Sequence, residues 1–217
     1  MNEGRCCQEL EVIHHDILRM GTLVEEAVRD ADRALSEQNL DLARTVIDGD
    51  EAIDELERTI EAGCVRILAL KHPLASDLRA VTTALKVITD LERMGDHAAD
   101  IAHIALKIGE TPLIKPLIDI PHMSSLARQM VHQSLDAFVR RDVDLAQKVC
   151  QDDEPVDRLY SELYDELLGF IMHGDDAVRA GQALSLLFVA RFLERIADHA
   201  TNIAERVIYL VTGERVG

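Results

Sequence analysis

The chain has 217 residues, with 40 Asp and Glu against 23 Lys and Arg and a formal net charge of -17. A surface this acidic repels a phosphodiester backbone and excludes nucleic acid as an expected partner. Trp is absent and aromatics make up 3%; the abundance of Ala, Leu, Ile, Val, Glu, Asp and Arg is the palette of a helical protein with an aliphatic core.

The opening stretch, MNEGRCCQELEVIHHDI, holds no apolar run of signal-peptide length. No later window reaches the roughly 20 apolar residues of a membrane helix; the richest, Ala183 to Leu193, is broken by Arg191. A cytoplasmic protein without membrane insertion is expected. Cys6, Cys7, Cys64 and Cys150 form no C-x-x-C pair, so they read as buried or idle thiols rather than a zinc or redox site.

Apolar residues at three- and four-residue steps predict helices over 7–37, 40–70 and 75–108, then over 117–140, 143–172 and 176–211. The joints carry turn chemistry: SEQNLD, LKHPLASD with Pro73, RRDVD, and MHGDD with Gly174 and acidic residues placed to cap the next helix. The connector GETPLIKPLIDIP, from Gly109 to Pro121, holds three of the five prolines and divides the chain. No strand-like alternation with hairpin signals appears.

The two parts repeat. DLARTVIDGDEAIDEL from Asp41 aligns with DLAQKVCQDDEPVDRL from Asp144, and LERMGDHAADIA from Leu91 with LERIADHATNIA from Leu193. The expected fold is therefore all-α, a tandem repeat of two three-helix antiparallel bundles over residues 1–112 and 113–217. Ala84, Ile88, Leu91, Gly95, Ala98, Ala102 and Ala105 form a seam of small and aliphatic side chains that permits close helix approach. Leu187, Ala190, Leu193, Ala197, Ala200 and Ala204 form its counterpart. Pro155 stands where the first half has Ala52; inside a helix it costs about 3 kcal/mol. It predicts a kink, or a helix restart with Asp153 as cap.

An acidic stripe borders each seam. Glu92, Asp96 and Asp100 step by four, as do Glu194, Asp198 and Asn202, which places each set along one side of a helix. Acidic residues are common here, so a lone pair carries nothing; the registration carries more. A hairpin folding about Pro73 brings Asp54 level with Glu92 and Asp50 level with Asp96. One folding about the HGDD turn brings Asp157 level with Glu194 and Asp153 level with Asp198. Gathered carboxylates repel unless a cation joins them, and oxygen donors suit Mg²⁺, Mn²⁺, Ca²⁺ or iron. The competing reading is a solvated acidic face with Arg93 and Arg195 in surface ion pairs.

Glu57 and Glu61 continue the first stripe, but Tyr160 and Tyr164 replace them in the second half, so they read as surface charge. His97 and His199 point about 100° away from the neighbouring Asp and read as boundary histidines. His103 falls back on the stripe, opposite a counterpart Glu205. A di-iron carboxylate enzyme is the alternative, but it calls for two Glu-x-x-His motifs on inner faces, and one is present, Glu11 to His14. A phosphorylated His97 or His199 in a signalling bundle is a further alternative.

HPLASDLRAVTTALKVITDLERMGDHAADIA and RFLERIADHATNIAERVIYLVTGE resemble the two signature stretches of the PhoU family, and the resemblance extends over nearly the whole chain. It implies a non-enzymatic regulator that restrains phosphate uptake and phosphate-starvation signalling. The implied partners are the phosphate ABC transporter and a sensor histidine kinase at the cytoplasmic membrane face, and the implied assembly is a homodimer. It also implies divalent or trivalent metal ions (iron, Mn, Mg, Zn or Ca) at the acidic motifs. Carried over by position, one site takes Asp50, Asp54, Glu92, Asp96 and Asp100. The other takes Asp153, Asp157, Glu194, Asp198 and Asn202, where the neutral amide predicts weaker binding.

Overall fold

The computed structural model describes residues 3–71, 73, 75–173 and 176–214. The described residues form α1 (Glu3–Ser36), α2 (Leu40–Lys71), α3 (Ala75–Ile108), α4 (Asp119–Arg140), α5 (Val143–Gln151), α6 (Glu154–His173) and α7 (Ala177–Thr212), and no strand is among them. α1, α2 and α3 pack on one another, and α4, α5 and α6 pack around α7. The two bundles meet where α3 lies against α7 and α1 against α4. The all-α tandem architecture expected from the repeat is the one observed.

The turns repeat as faithfully as the helices. α1 closes with Gln38 at φ 51 and α4 with Arg141 at φ 54. A left-handed backbone costs a non-glycine residue roughly 1–2 kcal/mol, and closing hydrogen bonds offset it. Asn39 N–H donates to Ala34 O at 2.9 Å and Asp142 N–H to Ala137 O at 3.0 Å. The same two residues then cap the next helix. Leu42 N–H donates to Asn39 Oδ1 at 3.0 Å, and Leu145 N–H to Asp142 Oδ1 at 2.9 Å. Asp176 caps α7 through Val178 N–H at 2.8 Å; the Gly174 part of that turn lies outside the described residues.

Pro155 resolves as a restart. A turn at Asp152–Asp153 separates α5 from α6, so the expected 143–172 helix is delivered in two pieces. Pro155 is the second residue of α6, where a backbone N–H has no intrahelical acceptor to lose. Val156 and Asp157 N–H donate to Asp153 O at 2.9 and 3.1 Å. Asp153 thus starts the helix through its main chain, while its carboxyl Oδ1 is buried without a hydrogen-bond partner.

The linker is held by both bundles. Gln38 Nε2 donates to Gly109 O and Thr111 O, both at 2.8 Å. From α7, Gln182 accepts from Ile114 N–H at 2.6 Å and donates to Pro112 O at 3.3 Å. The small-residue seams face inward: Ala84, Leu91, Ala98 and Ala102 on α3 and Ala190, Ala197, Ala200 and Ala204 on α7 are essentially inaccessible. Methyl-sized side chains let the two central helices approach closely, with packing rather than propensity stabilising them. Cys64 is buried and Cys150 half-buried, both as free thiols; the side chains of Cys6 and Cys7 lie outside the described ones.

Candidate functional site

Each acidic stripe meets its partner helix as the hairpin register requires. In the first bundle Asp50 and Asp54 on α2 face Glu92, Asp96 and Asp100 on α3. Close approach is possible because position 95 is glycine: a Cβ there would lie 2.9 Å from Ile53 Cδ1 and 3.1 Å from Asp50 Oδ1. Burial pushes the Asp50 carboxyl up to about 6, with Asp96, Asp54 and Asp100 adding repulsion. Burial also raises Glu92, helped by Asp96, and raises Asp100, again helped by Asp96. Glu57 belongs to this group. It is half-buried, its carboxyl is raised by burial and by Glu61, and it in turn raises Glu92. Its reading as plain surface charge is corrected on that ground, since the missing counterpart in the second half says nothing about its neighbours in the first.

The second bundle repeats the core of this arrangement. Burial pushes Asp153 up to about 6, with Asp157, Asp198 and Glu194 contributing. Glu194 is only 9% exposed and is raised by burial and by Asp198. Asp198 is raised by burial against the pull of Arg195. Two oxygens are orphaned: Asp153 Oδ1 and Glu194 Oε2 are buried with no hydrogen-bond partner. Arg191 holds the other oxygen of Glu194.

Asn202 is placed elsewhere. Its amide donates toward Asp90 Oδ1 on α3 at 3.4 Å, at the contact between the bundles. Asp90 is 6% exposed and also accepts from Arg206 Nε at 2.9 Å, with His199 Nδ1 3.0 Å from its other oxygen. The neutral amide can donate to a carboxylate across the seam. Asp100, its counterpart, is exposed and faces its own cluster. His97 and His199 sit astride the same seam, ring centroids 5.8 Å apart, and His97 stacks on Phe192 at 5.4 Å. Burial, then His199, depresses His97 to about 4. It is therefore neutral at pH 7, and its 3.9 Å approach to Asp100 is not an ion pair. His103 is exposed beside Asp100.

Sequence reasoning passed over Asp90, Lys86 and Arg206. The signal was a break in the repeat, since their counterparts are Phe192, Phe188 and Ile104. The Glu11–His14 pair of the di-iron alternative does not face the acids: Glu11 is exposed and His14 packs edge-on against Phe138 at 5.3 Å.

Both clusters fit a hard cation in their donor chemistry. They gather oxygen ligands whose ionised forms are disfavoured by one another, and the second leaves two buried oxygens without a donor. Among the described residues no three such side chains already stand close enough to share one ion, so a cation would have to draw them together.

A duplicated helical bundle carrying one carboxylate cluster on each repeat defines the class. The PhoU domain model matches residues 17–105 and again 120–207. The chain belongs to the PhoU family. It is 38% identical to a Clostridium acetobutylicum protein described as a phosphate-specific transport system accessory protein PhoU homolog, over 96% of this chain and 94% of that one. The crystal structure of PhoU from Pseudomonas aeruginosa superposes with a TM-score of 0.91 at 42% identity, covering 95% of this chain and 99% of that one. The phosphate transport system regulatory protein PhoU from Streptococcus pneumoniae gives 0.89 at 35%, covering 98% and 99%.

Proposed function

We propose that this protein is a metal-binding accessory regulator of phosphate-specific transport, acting by binding rather than by catalysis. In this reading it restrains phosphate uptake and phosphate-starvation signalling. It does so by contacting the phosphate ABC transporter and its sensor histidine kinase at the cytoplasmic membrane face, as a homodimer. Family membership supports the transport assignment. No described helix is long and apolar enough to cross a membrane, in keeping with contact from outside the bilayer.

The observation that carries the metal part is the duplicated carboxylate cluster with its raised carboxyls and orphaned oxygens. Asp50, Asp54, Glu92, Asp96 and Asp100 would hold a cation in the first bundle, and Asp153, Asp157, Glu194 and Asp198 in the second. Bound there, a cation supplies positive charge that neutralises the clusters and clamps α2 to α3 and α6 to α7. With Asn202 turned to Asp90, the second site has one donor fewer and binds more weakly.

Metal analysis of protein loaded with Mn²⁺ or Fe²⁺ and desalted tests this, comparing wild type with Asp96→Ala plus Asp198→Ala. The wild type should retain metal and the double variant lose most of it; equal retention, or none in either, overturns the metal reading. In the host, deletion should raise expression of phosphate-uptake genes in phosphate-rich medium, and unchanged expression would count against the regulatory role.

A further inference from the structure

A cleft of the described structure lies away from both acidic clusters. It is a cavity of about 400 Å³ between α3 and α7, lined by Thr82, Thr83, Lys86, Asn202, Arg206 and Tyr209, with Glu205 at its side. The Thr82 hydroxyl donates to Leu78 O and Arg79 O and the Asn202 amide toward Asp90, but other donors of the cleft have no protein partner among the described residues. Among the described residues Lys86 makes no ion pair, and neither the Thr83 hydroxyl nor the Tyr209 phenol makes a hydrogen bond, although Thr83 is only 4% exposed. Arg206 uses its Nε on Asp90, which fixes the guanidinium while leaving both Nη groups without an acceptor among the described residues. An ammonium, a guanidinium anchored by a buried carboxylate and two hydroxyls converge on one space. That donor set is the chemistry that recognises a tetrahedral oxyanion.

The repeat sharpens the point. The corresponding position at the other end of the same seam is a cavity of about 220 Å³ lined by Lys107, Ile108, Thr111, Val178, Gly181, Gln182, Leu184 and Ser185. By sequence Phe188 is the counterpart of Lys86, Ile104 of Arg206 and Phe192 of Asp90, and the cation among the described lining of the second cavity is Lys107, the counterpart of Tyr209. Two cations and the carboxylate that holds one of them were placed at one end only. Symmetry of packing does not require this. In a chain of net charge -17, Lys86, which has no ion-pair partner among the described residues, and the part of the Arg206 guanidinium that Asp90 does not engage have much to gain from an anion.

Glu205 narrows the ligand. Its carboxylate lies close enough to α5 to raise the Cys150 thiol, so it borders the cleft on the α5 side. It repels a bare, highly charged anion and accepts from hydroxyl or amine donors. We propose that this cleft binds a phosphate ester of a hydroxylated small molecule, with Lys86 and Arg206 holding the phosphate, Thr83 and Tyr209 donating to its oxygens, and Glu205 accepting from the ligand's hydroxyls. Because the cleft is built from both bundles, such a ligand ties them together along the α3–α7 seam.

The test is calorimetric titration of full-length protein, freed of metal by chelation, with adenosine monophosphate and, separately, inorganic phosphate. Chelation keeps the outcome independent of the acidic clusters. Saturable binding of adenosine monophosphate is expected, weakened about tenfold or more in Lys86→Gln, the scale of one lost charge-assisted hydrogen bond. Glu205→Gln should narrow the preference over inorganic phosphate. Both variants are conservative and their melting curves serve as the folding control; Tyr209→Phe gives a second, milder probe. No saturable binding, or binding that all three variants leave unchanged, overturns the proposal. Inorganic phosphate binding as tightly as the ester overturns the role given to Glu205 and to the ligand's hydroxyls.

Discussion

Asp50 shows how a single residue in this protein carries a conflict built into the fold. Its carboxyl is raised from 3.8 to about 6, first by burial and then by Asp96, Asp54 and Asp100. The folded state therefore holds the proton more tightly than the unfolded chain. The contribution to stability is fully present below the unfolded value and is lost as the pH rises through about 6. In chelator, Asp50→Asn should melt above wild type at pH 7, with the advantage shrinking as the pH falls toward 4. His97 acts in the opposite sense: held near 4 by burial, it contributes stability above its ordinary value that is lost on acidification through about 4. The comparison of Asp50→Asn with wild type cancels that effect. With saturating Mn²⁺ the order should reverse, because a ligand that binds only the folded state stabilises the protein that retains the site. Thermal melts across pH 4–7, with and without Mn²⁺, check both signs. A variant no more stable than wild type at pH 7 would show that the cluster is not under electrostatic stress.

At the scale of the helix, identical positions in the two repeats tolerate different residues because their surroundings along the chain differ. Pro155 lies in the first turn of α6 after a turn at Asp152–Asp153, whereas Ala52 lies in the middle of the continuous α2. Pro155→Ala should change stability by less than about 1 kcal/mol, since the proline deprives no acceptor of its donor. Ala52→Pro should cost about 3 kcal/mol or more, by removing an interior hydrogen bond and crowding the preceding turn. Denaturant unfolding of the two variants would read the contrast directly; equal effects would mean that the α5–α6 break is imposed by tertiary packing and not by the proline. The caps at Asn39 and Asp142 were legible in the polar joints SEQNLD and RRDVD, because a cap is a local arrangement of a side chain and a backbone amide three residues on.

At the scale of the molecule, the two bundles are joined along a common seam by a polar clasp and, beside it, an aromatic stack. Asp90 takes Arg206, His199 and Asn202 from α7, while His97 lies on Phe192. Removing the carboxylate leaves a partly exposed guanidinium and an amide facing no acceptor. Asp90→Ala should cost about 3 kcal/mol and separate the unfolding of the bundles into two transitions in urea or calorimetry. A single transition at the wild-type midpoint would show that the aromatic stack and the α1–α4 contact hold the bundles together without the clasp.

What the sequence determined by itself was whatever repeats or is local. The helices follow from three- and four-residue periodicity, the turns from caps and prolines, and the tandem bundle from the duplicated LERMGDHAADIA and DLARTVIDGDEAIDEL stretches. The facing of Asp50 and Asp54 with Glu92 and Asp96 also belongs here, because two antiparallel helices joined by a short turn have one register. The tertiary structure alone decided what lies between the bundles. No periodicity relates Asp90 to Arg206 across 116 residues; their meeting depends on how α3 is laid against α7, and that is set by the packing of small side chains along the whole seam. For the same reason Asn202, the aligned counterpart of an acidic stripe residue, was drawn to Asp90. A stripe on one helix gives its direction around that axis, while the partner it meets belongs to the packing of two bundles.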